Sequence, residues 1–217
     1  MPDFVARYIG LALFVAFAFW FKFIIGRAGK KQRNKKEKLM EDEREANFSR
    51  VQEIPEHMKY IPDISKLPVK EYSDKPESDK ITAIQARALK AAKLPMLRLD
   101  PPMTNIDIKR AFGATNLETL TAHEENYEQY TRALSNWAIE LIALNNYDDA
   151  RTVLNICIDM NALFFQPYSS ICDIYEITGN REGLLNLRDK IDNTEIIRNN
   201  KMLFEKISDY INAKLDM

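Results

Sequence analysis

The chain has 217 residues, with 31 Lys and Arg against 32 Asp and Glu, which gives a formal net charge of −1. This balance excludes a chain that is basic throughout, as many nucleic-acid-binding proteins are, and we expect no nucleic-acid partner. Six glycines are too few for a collagen or a Gly-rich linker, and two cysteines cannot form a disulfide framework or a four-cysteine zinc site.

Charge is segregated along the chain. Residues 1–38 carry nine basic and two acidic side chains, and residues 39–79 carry six and eleven. Residues 80–110 carry seven basic and two acidic side chains, and residues 111–217 carry nine and seventeen. Such blocks indicate regions that meet different environments.

The N-terminal region predicts one transmembrane helix over about residues 8–25. From Tyr8 to Phe21 no side chain is charged, and Lys22 alone interrupts the apolar run before Ile25. At about 1.5 Å per residue the span measures roughly 27 Å, close to the ~30 Å thickness of the hydrocarbon core. A cleaved signal peptide and a buried core helix are the alternatives, and a polybasic run in place of a small-residue cleavage site disfavours both.

The basic flank of this span predicts its orientation. The positive-inside rule places residues 27–217 in the cytoplasm and the short N-terminus outside, in a bacterial plasma membrane or, alternatively, an organelle membrane. The flank acts as a topology determinant alone or also contacts anionic headgroups. Within the anchor region, residues 1–38, the side chains expected at the membrane surface are Lys22, Arg27, Lys30, Lys31, Arg33, Lys35, Lys36 and Lys38.

Residues 39–80 predict a charged spacer. Prolines recur every six to eight residues from Pro55 to Pro76, which forbids a long helix there, although residues 37–52 can extend as a helix. A short helix is predicted over 81–94 and another over 105–112. The positive charge of residues 80–110 either faces lipid or forms a solvated surface.

Residues 81–217 predict an all-α domain. Apolar residues at spacings of three and four predict helices over 124–144, from Tyr147 to Met160, after Pro167 as far as Gly179, from Glu182 to Ile191, and from Thr194 to Leu215. The last of these, over 194–215, is expected to cap the domain.

Two consecutive helical hairpins suggest a repeat, and a shift of 34 residues superimposes them. The shift aligns Trp137 with Ile171, Leu141 with Tyr175, and Asn145 with Gly179. The segment ALNNYDDARTVLNICIDMN, residues 143–161, resembles the tetratricopeptide repeat family. The signature positions of that pattern hold Leu134, Trp137, Ala138, Leu141, Asn145, Tyr147, Ala150, Leu154 and Cys157.

This resemblance implies repeats at 131–164 and 165–198 in a solenoid of antiparallel helical hairpins. The second repeat departs from the pattern, because Leu184 replaces a small residue and Arg188 an aromatic one. Family members often bind peptides in a concave groove lined by the first helix of each hairpin, but the basic clamp for a C-terminal carboxylate is absent. The groove positions implied here are Arg132, Ser135, Ile139, Ile142, Gln166, Ser169, Asp173 and Glu176.

The residues that usually carry chemistry are sparse. His123 precedes Glu124 and Glu125, which we interpret as acids at the positive end of a helix that begins there. Cys157 and Cys172 both fall on predicted buried stripes and are interpreted as core residues. We therefore expect no enzyme, no cofactor, no metal and no small-molecule substrate.

The pattern as a whole predicts a membrane-anchored cytoplasmic module or scaffold. Its partners would be the lipid bilayer, through residues 8–25, and a protein not identified by the sequence. The alternative is a small integral subunit of a larger membrane complex, in which the repeat is a packed structural element without recruiting activity.

Overall fold

A computed structural model describes Phe17, residues 20–22, residues 32–72 and residues 78–216. Most of the predicted anchor, residues 8–25, and Arg27, Lys30 and Lys31 of its basic flank therefore lie outside the described residues. Among the residues that are described, no helix has both the length and the apolar character to cross a membrane.

The described chain is all-α apart from one pair of two-residue strands. Helix α1 covers residues 32–47. The other helices are α2 (Ser78–Ala91), α3 (Asn105–Phe112), α4 (Leu117–Ala143), α5 (Tyr147–Asp159), α6 (Gln166–Ile177), α7 (Arg181–Asn193), α8 (Glu195–Asn199) and α9 (Lys201–Leu215). Strands β1 (Lys59–Tyr60) and β2 (Met96–Leu97) pair in antiparallel fashion.

The chain divides into two compact units. The first contains α1 and α3, within residues 1–52 and 104–116, and the second contains the remaining helices and both strands, within residues 53–103 and 117–217. The predicted α3 is confirmed, and a capping box between Thr104 and Asp107 explains where it begins.

In the first unit, α3 is joined to α1 by charge pairs. Lys109 lies 3.0 Å from Glu43, and Arg110 lies 2.7 Å from Asp42. These two cations of the basic block 80–110 therefore have carboxylate partners within the protein. At the end of α3, Gly113 has φ +88°, and a Cβ there would lie 2.9 Å from the Val51 Cα, so only glycine fits.

In the second unit, α4 is the central helix. It packs against α2, α5 and β2, while α6 packs against α5, α7 and α9. Trp137, Leu134 and Leu141 of α4 are completely buried. This periodic burial is the cause of the spacing of three and four residues in the sequence.

Part of the predicted spacer belongs to the second unit and packs within it. Gln85 of α2 accepts a hydrogen bond from the Lys70 N–H at 3.1 Å and donates one to the Lys70 carbonyl at 2.9 Å. Leu67 is buried, whereas Ile61 is exposed. The two bonds to the Gln85 amide satisfy a backbone segment that belongs to no helix or sheet.

The turn between α4 and α5 uses a residue in the left-handed conformation. Asn145 has φ 56°. The N–H of Asn146 donates to the Leu141 carbonyl at 2.8 Å, and the N–H of Asn145 donates to the Ile142 carbonyl at 2.9 Å. Together these bonds form a Schellman motif, which satisfies the last carbonyls of α4.

The turn between α6 and α7 has the same local structure. Gly179 has φ 63°. The N–H of Asn180 donates to the Tyr175 carbonyl at 2.7 Å, and the N–H of Gly179 donates to the Glu176 carbonyl at 3.0 Å. Gly179 and Asn145 are 34 residues apart, so the two predicted hairpin turns are equivalent in their hydrogen bonds.

Three predicted helices have different boundaries in the structure, and the first is α2, which runs from Ser78 to Ala91 rather than over 81–94. Helix α4 begins at Leu117 rather than near residue 124, and buried Leu120 anchors the additional turns. The predicted helix over 194–215 was wrong as a single element, because it breaks at Asn200. The Asn200 backbone is outside the helical region (ψ 76°), and its side chain accepts a hydrogen bond from the Leu203 N–H that caps α9.

Candidate functional site

The predicted groove residues do not form one free surface. Ser135 is 1% exposed, so its interpretation as a partner-binding residue is wrong. It lies on the face of α4 that is packed inward together with Leu134 and Ala138. Ile139, Ile142 and Ser169 are half-buried, and Gln166 is exposed.

Asp173 and Glu176 of α6 already have partners in the chain. The Lys214 Nζ of α9 lies 3.0 Å from the Asp173 carboxylate and 2.5 Å from the Glu176 carboxylate. The Tyr210 hydroxyl donates to Asp173 at 2.7 Å. These two carboxylates raise the pKa of Lys214. Helix α9 therefore packs against the acidic face of α6, where its Lys214 pairs with both carboxylates.

Arg132 is the one predicted groove residue that lines a cleft beside α4 in the second unit. The cleft lies beside the N-terminal half of α4, and the segment after β2, the loop after α5 and Ile196 of α8 form its other walls. Its volume is about 180 Å³. The apolar side chains in its wall include Leu97, Leu99, Pro102, Leu163, Phe164 and Ile196.

Tyr127 fixes the loop after α5 against α4. Its hydroxyl donates a hydrogen bond of 2.5 Å to the Met160 carbonyl, and its ring packs edge-on against Tyr60 with centroids 5.2 Å apart. Burial raises the pKa of Tyr127 to about 12, so the hydroxyl stays protonated and donates this bond at neutral pH. Asn161, with φ 53°, then turns the chain toward the cleft wall.

The two arginines that line the cleft are already engaged. The Arg98 guanidinium pairs with Asp100. The Arg132 guanidinium lies 4.8 Å from the centre of the Phe164 ring and 3.8 Å from the Glu128 carboxylate. The position over an aromatic ring is favourable for a cation, so Arg132 covers one wall of the cleft.

Glu124 differs from its neighbours because it is half-buried and forms no ion pair within the described residues. Burial and the nearby carboxylates of Glu128 and Glu125 raise the pKa of Glu124. The interpretation of Glu124 as an acid at the start of a helix was wrong, since α4 begins two turns earlier. The helix dipole therefore does not account for this carboxylate, which faces the cleft.

A second cavity lies next to the first. It shares Pro102, Leu163 and Ile196 with the first cavity and has a volume of about 510 Å³. Asp100 and Glu195 add carboxylates to its rim, and Lys201 adds one cation. Together the two adjacent cavities have an apolar wall and a charged edge, with the carboxylates of Asp100, Glu124, Glu128 and Glu195 and the cations of Arg98, Arg132 and Lys201.

Neither the two cysteines nor the two histidines line either of these cavities. Cys157 and Cys172 are buried and unpaired with each other. Burial raises the pKa of the Cys172 thiol to about 12 and that of Cys157 as well, so both remain protonated. Within the described part of the chain, His, Cys, Asp and Glu form no cluster suited to a metal ion.

The described residues of the basic flank are exposed. They are Lys22, Arg33, Lys35, Lys36 and Lys38. Arg33 pairs with Glu37 at 3.0 Å, one turn away on α1. An exposed pair of this kind contributes little to stability, so these side chains are free to meet another charged surface.

Sequence reasoning missed most of the cleft. Its walls come from residues 97–102, 124–132, 160–164 and 196, which form no motif and are brought together only by the packing of α4, α5 and α8. The sequence feature that points to the cleft is Glu124, a charged residue next to the stripe of buried apolar residues that begins with Tyr127. No protein-family model, no curated protein and no solved structure matches the chain.

Proposed function

We propose that this protein is a membrane-tethered module that binds a partner protein in the cleft beside α4. The cleft is the observation that carries the proposal. It combines an apolar wall with a charged edge, whereas the catalytic and metal-binding patterns sought in the sequence are lacking. Its first cavity, at about 180 Å³, has room for about one apolar side chain of a partner.

The equivalent turns at Asn145 and Gly179 support a repeat of the tetratricopeptide type. Two hairpins with the same Schellman motif at an offset of 34 residues agree with the period of that family. Repeats of this kind present extended surfaces to other proteins. In the proposal, the binding surface is shifted from the usual concave positions toward the N-terminal half of α4, because α9 packs against the acidic face of α6 and Lys214 pairs with its carboxylates.

The tether in this proposal is the apolar stretch over residues 8–25. The basic side chains that follow it hold the second unit on the cytoplasmic side and can meet anionic headgroups, at about 1 kcal/mol per residue near the surface. A fusion of alkaline phosphatase to the C-terminus should be inactive in bacteria, and a fluorescent-protein fusion should be bright. The opposite pattern would contradict the orientation.

The test of binding is photo-crosslinking in the native cell. A photoreactive amino acid in place of Leu163, which is 43% exposed and lines both cavities, should give a discrete crosslinked product. The matched control is the same amino acid at Leu185, which is 37% exposed on α7 and lines neither cavity. A product at Leu163 alone supports the module, and the same products at both sites argue for the alternative of an integral subunit surrounded by neighbours.

A further inference from the structure

We infer that the cleft binds a short partner segment in which a large apolar residue stands next to a lysine or arginine. This inference rests on the proposed function and specifies the chemistry of the partner. The apolar side chain would enter the first cavity, and the neighbouring cation would pair with Glu124.

The size of the first cavity sets the apolar part of the segment. An apolar cavity of about 150 Å³ holds one benzene molecule. At about 180 Å³, the first cavity has room for one aromatic or long aliphatic side chain. Leucine, proline and phenylalanine side chains in its wall provide the apolar contact, and Leu163 is 43% exposed.

The unpaired carboxylate of Glu124 determines the charge that we expect in the partner segment. Among the described residues, Glu124 has no cation within ion-pair distance, although Arg98 and Arg132 line the same cleft. Both arginines are engaged, by Asp100 in one case and by Glu128 and the Phe164 ring in the other. A partly buried carboxylate beside like charges is destabilised until a cation arrives, so the cleft selects for a basic residue.

The second cavity indicates that the partner segment binds with an extended backbone. It shares Pro102, Leu163 and Ile196 with the first cavity and is bordered by Asn199 and Asn200. The Asn199 amide can both donate to and accept from a peptide backbone, and the Asn200 amide nitrogen can donate, because the Asn200 oxygen caps α9. Two adjacent cavities with this lining suit a stretch of backbone that reaches from one to the other.

The experiment is a selection from a random dodecapeptide display library on the full-length chain in detergent micelles. Counter-selection uses the Leu163→Lys variant, in which a cation replaces an exposed apolar side chain of the cleft. Enriched peptides should carry a large apolar residue next to Lys or Arg. No enrichment over the variant, or enrichment of acidic peptides, overturns the inference.

Two charge-removing variants of the full chain then test the role of Glu124. The most enriched peptide should bind Glu124→Gln about tenfold more weakly, as expected for the loss of one charge-assisted contact. Glu118→Gln, an exposed position on the same helix outside the cleft, should change the affinity less than twofold. Equal affinities for Glu124→Gln and the unmodified chain overturn the inference. A product from photo-crosslinking at Leu163 would still support the proposed function in that event, so the two failures can be told apart.

Discussion

The hairpins α4–α5 and α6–α7 share the same turn but place their smallest residue differently. In the first hairpin, Ala150 is completely buried near the start of α5. In the second hairpin the equivalent position is Leu184, and the small residue is Gly183, one position earlier. A Cβ at Gly183 would lie 2.8 Å from the ring of Tyr175.

This difference explains the departure of the second hairpin from the repeat pattern. Tyr175 occupies the position equivalent to Leu141, and its larger ring needs the space that a glycine leaves. Leu184 is then free to turn its side chain into the core, where it is 3% exposed. A small residue near the start of the second helix is therefore retained in both hairpins, but a pattern that requires it at one fixed position misses it in the second.

The largest expected effect comes from the core of the first hairpin. Trp137→Ala should lower the free energy of unfolding by about 3–5 kcal/mol, because it opens a cavity at a completely buried site. Ile171→Ala, at the equivalent buried position of the second hairpin, should cost about 2–5 kcal/mol. Urea unfolding of the full-length chain in micelles, followed by circular dichroism, measures both.

The exposed control for this pair is Glu128→Ala on α4, which should change the stability by less than about 0.5 kcal/mol. If Trp137→Ala and Ile171→Ala affect two separate unfolding transitions, the hairpins do not form one cooperative core. If Trp137→Ala costs no more than Glu128→Ala, the register of α4 is wrong.

The second prediction enlarges the small residue at the start of the second helix in each hairpin. Gly183→Ala should destabilise the chain by about 1–3 kcal/mol, because the new methyl group meets the Tyr175 ring. This cost should outweigh the gain of up to about 1 kcal/mol that alanine normally brings to a helix. Ala150→Leu in the first hairpin should cost a similar amount by overpacking.

A double-mutant cycle shows whether the Tyr175 ring is the cause. In the Tyr175→Leu background the second hairpin carries the same residue as Leu141, and Gly183→Ala should become neutral or stabilising there. The measurement is the coupling free energy from urea unfolding of the four proteins. Additive effects would show that some other neighbour limits the space at Gly183.

The sequence predicted the helices best where apolar spacing and turn residues agree. The start of α5 at Tyr147 was predicted correctly, because Asn145 and Asn146 mark the turn and the buried stripe begins at once. The break at Asn200 was missed since Ile197 and Ile207 continue a helical spacing through it. Spacing reports which face is buried, and it does not report a cap that interrupts the backbone.

The candidate site was harder to predict because it depends on how helices pack. Asp173 and Glu176 looked available in the sequence, and only the position of Lys214 on α9 shows that they are occupied. Conversely, Glu124 was explained by a helix start that lies two turns away from the real one. Both cases concern charged side chains, whose surroundings come from residues distant in sequence and are determined by tertiary structure.

The smallest expected effect tests whether the two turns are interchangeable. Gly179→Asn introduces the residue type found at Asn145, whose φ of 56° is close to the 63° of Gly179. Apart from the two adjacent residues, no heavy atom of the described chain lies within 4 Å of a Cβ placed on Gly179, so the backbone conformation is what resists the change. Asparagine tolerates the left-handed region better than other residues with a side chain, and we expect the free energy of unfolding to fall by less than about 1 kcal/mol.

Gly179→Val is the matched control, since a β-branched residue should cost at least about 1–2 kcal/mol in the same conformation. Thermal unfolding of the full-length chain ranks the two variants, and equal losses would show that the turn at Gly179 is not held in the conformation of Asn145.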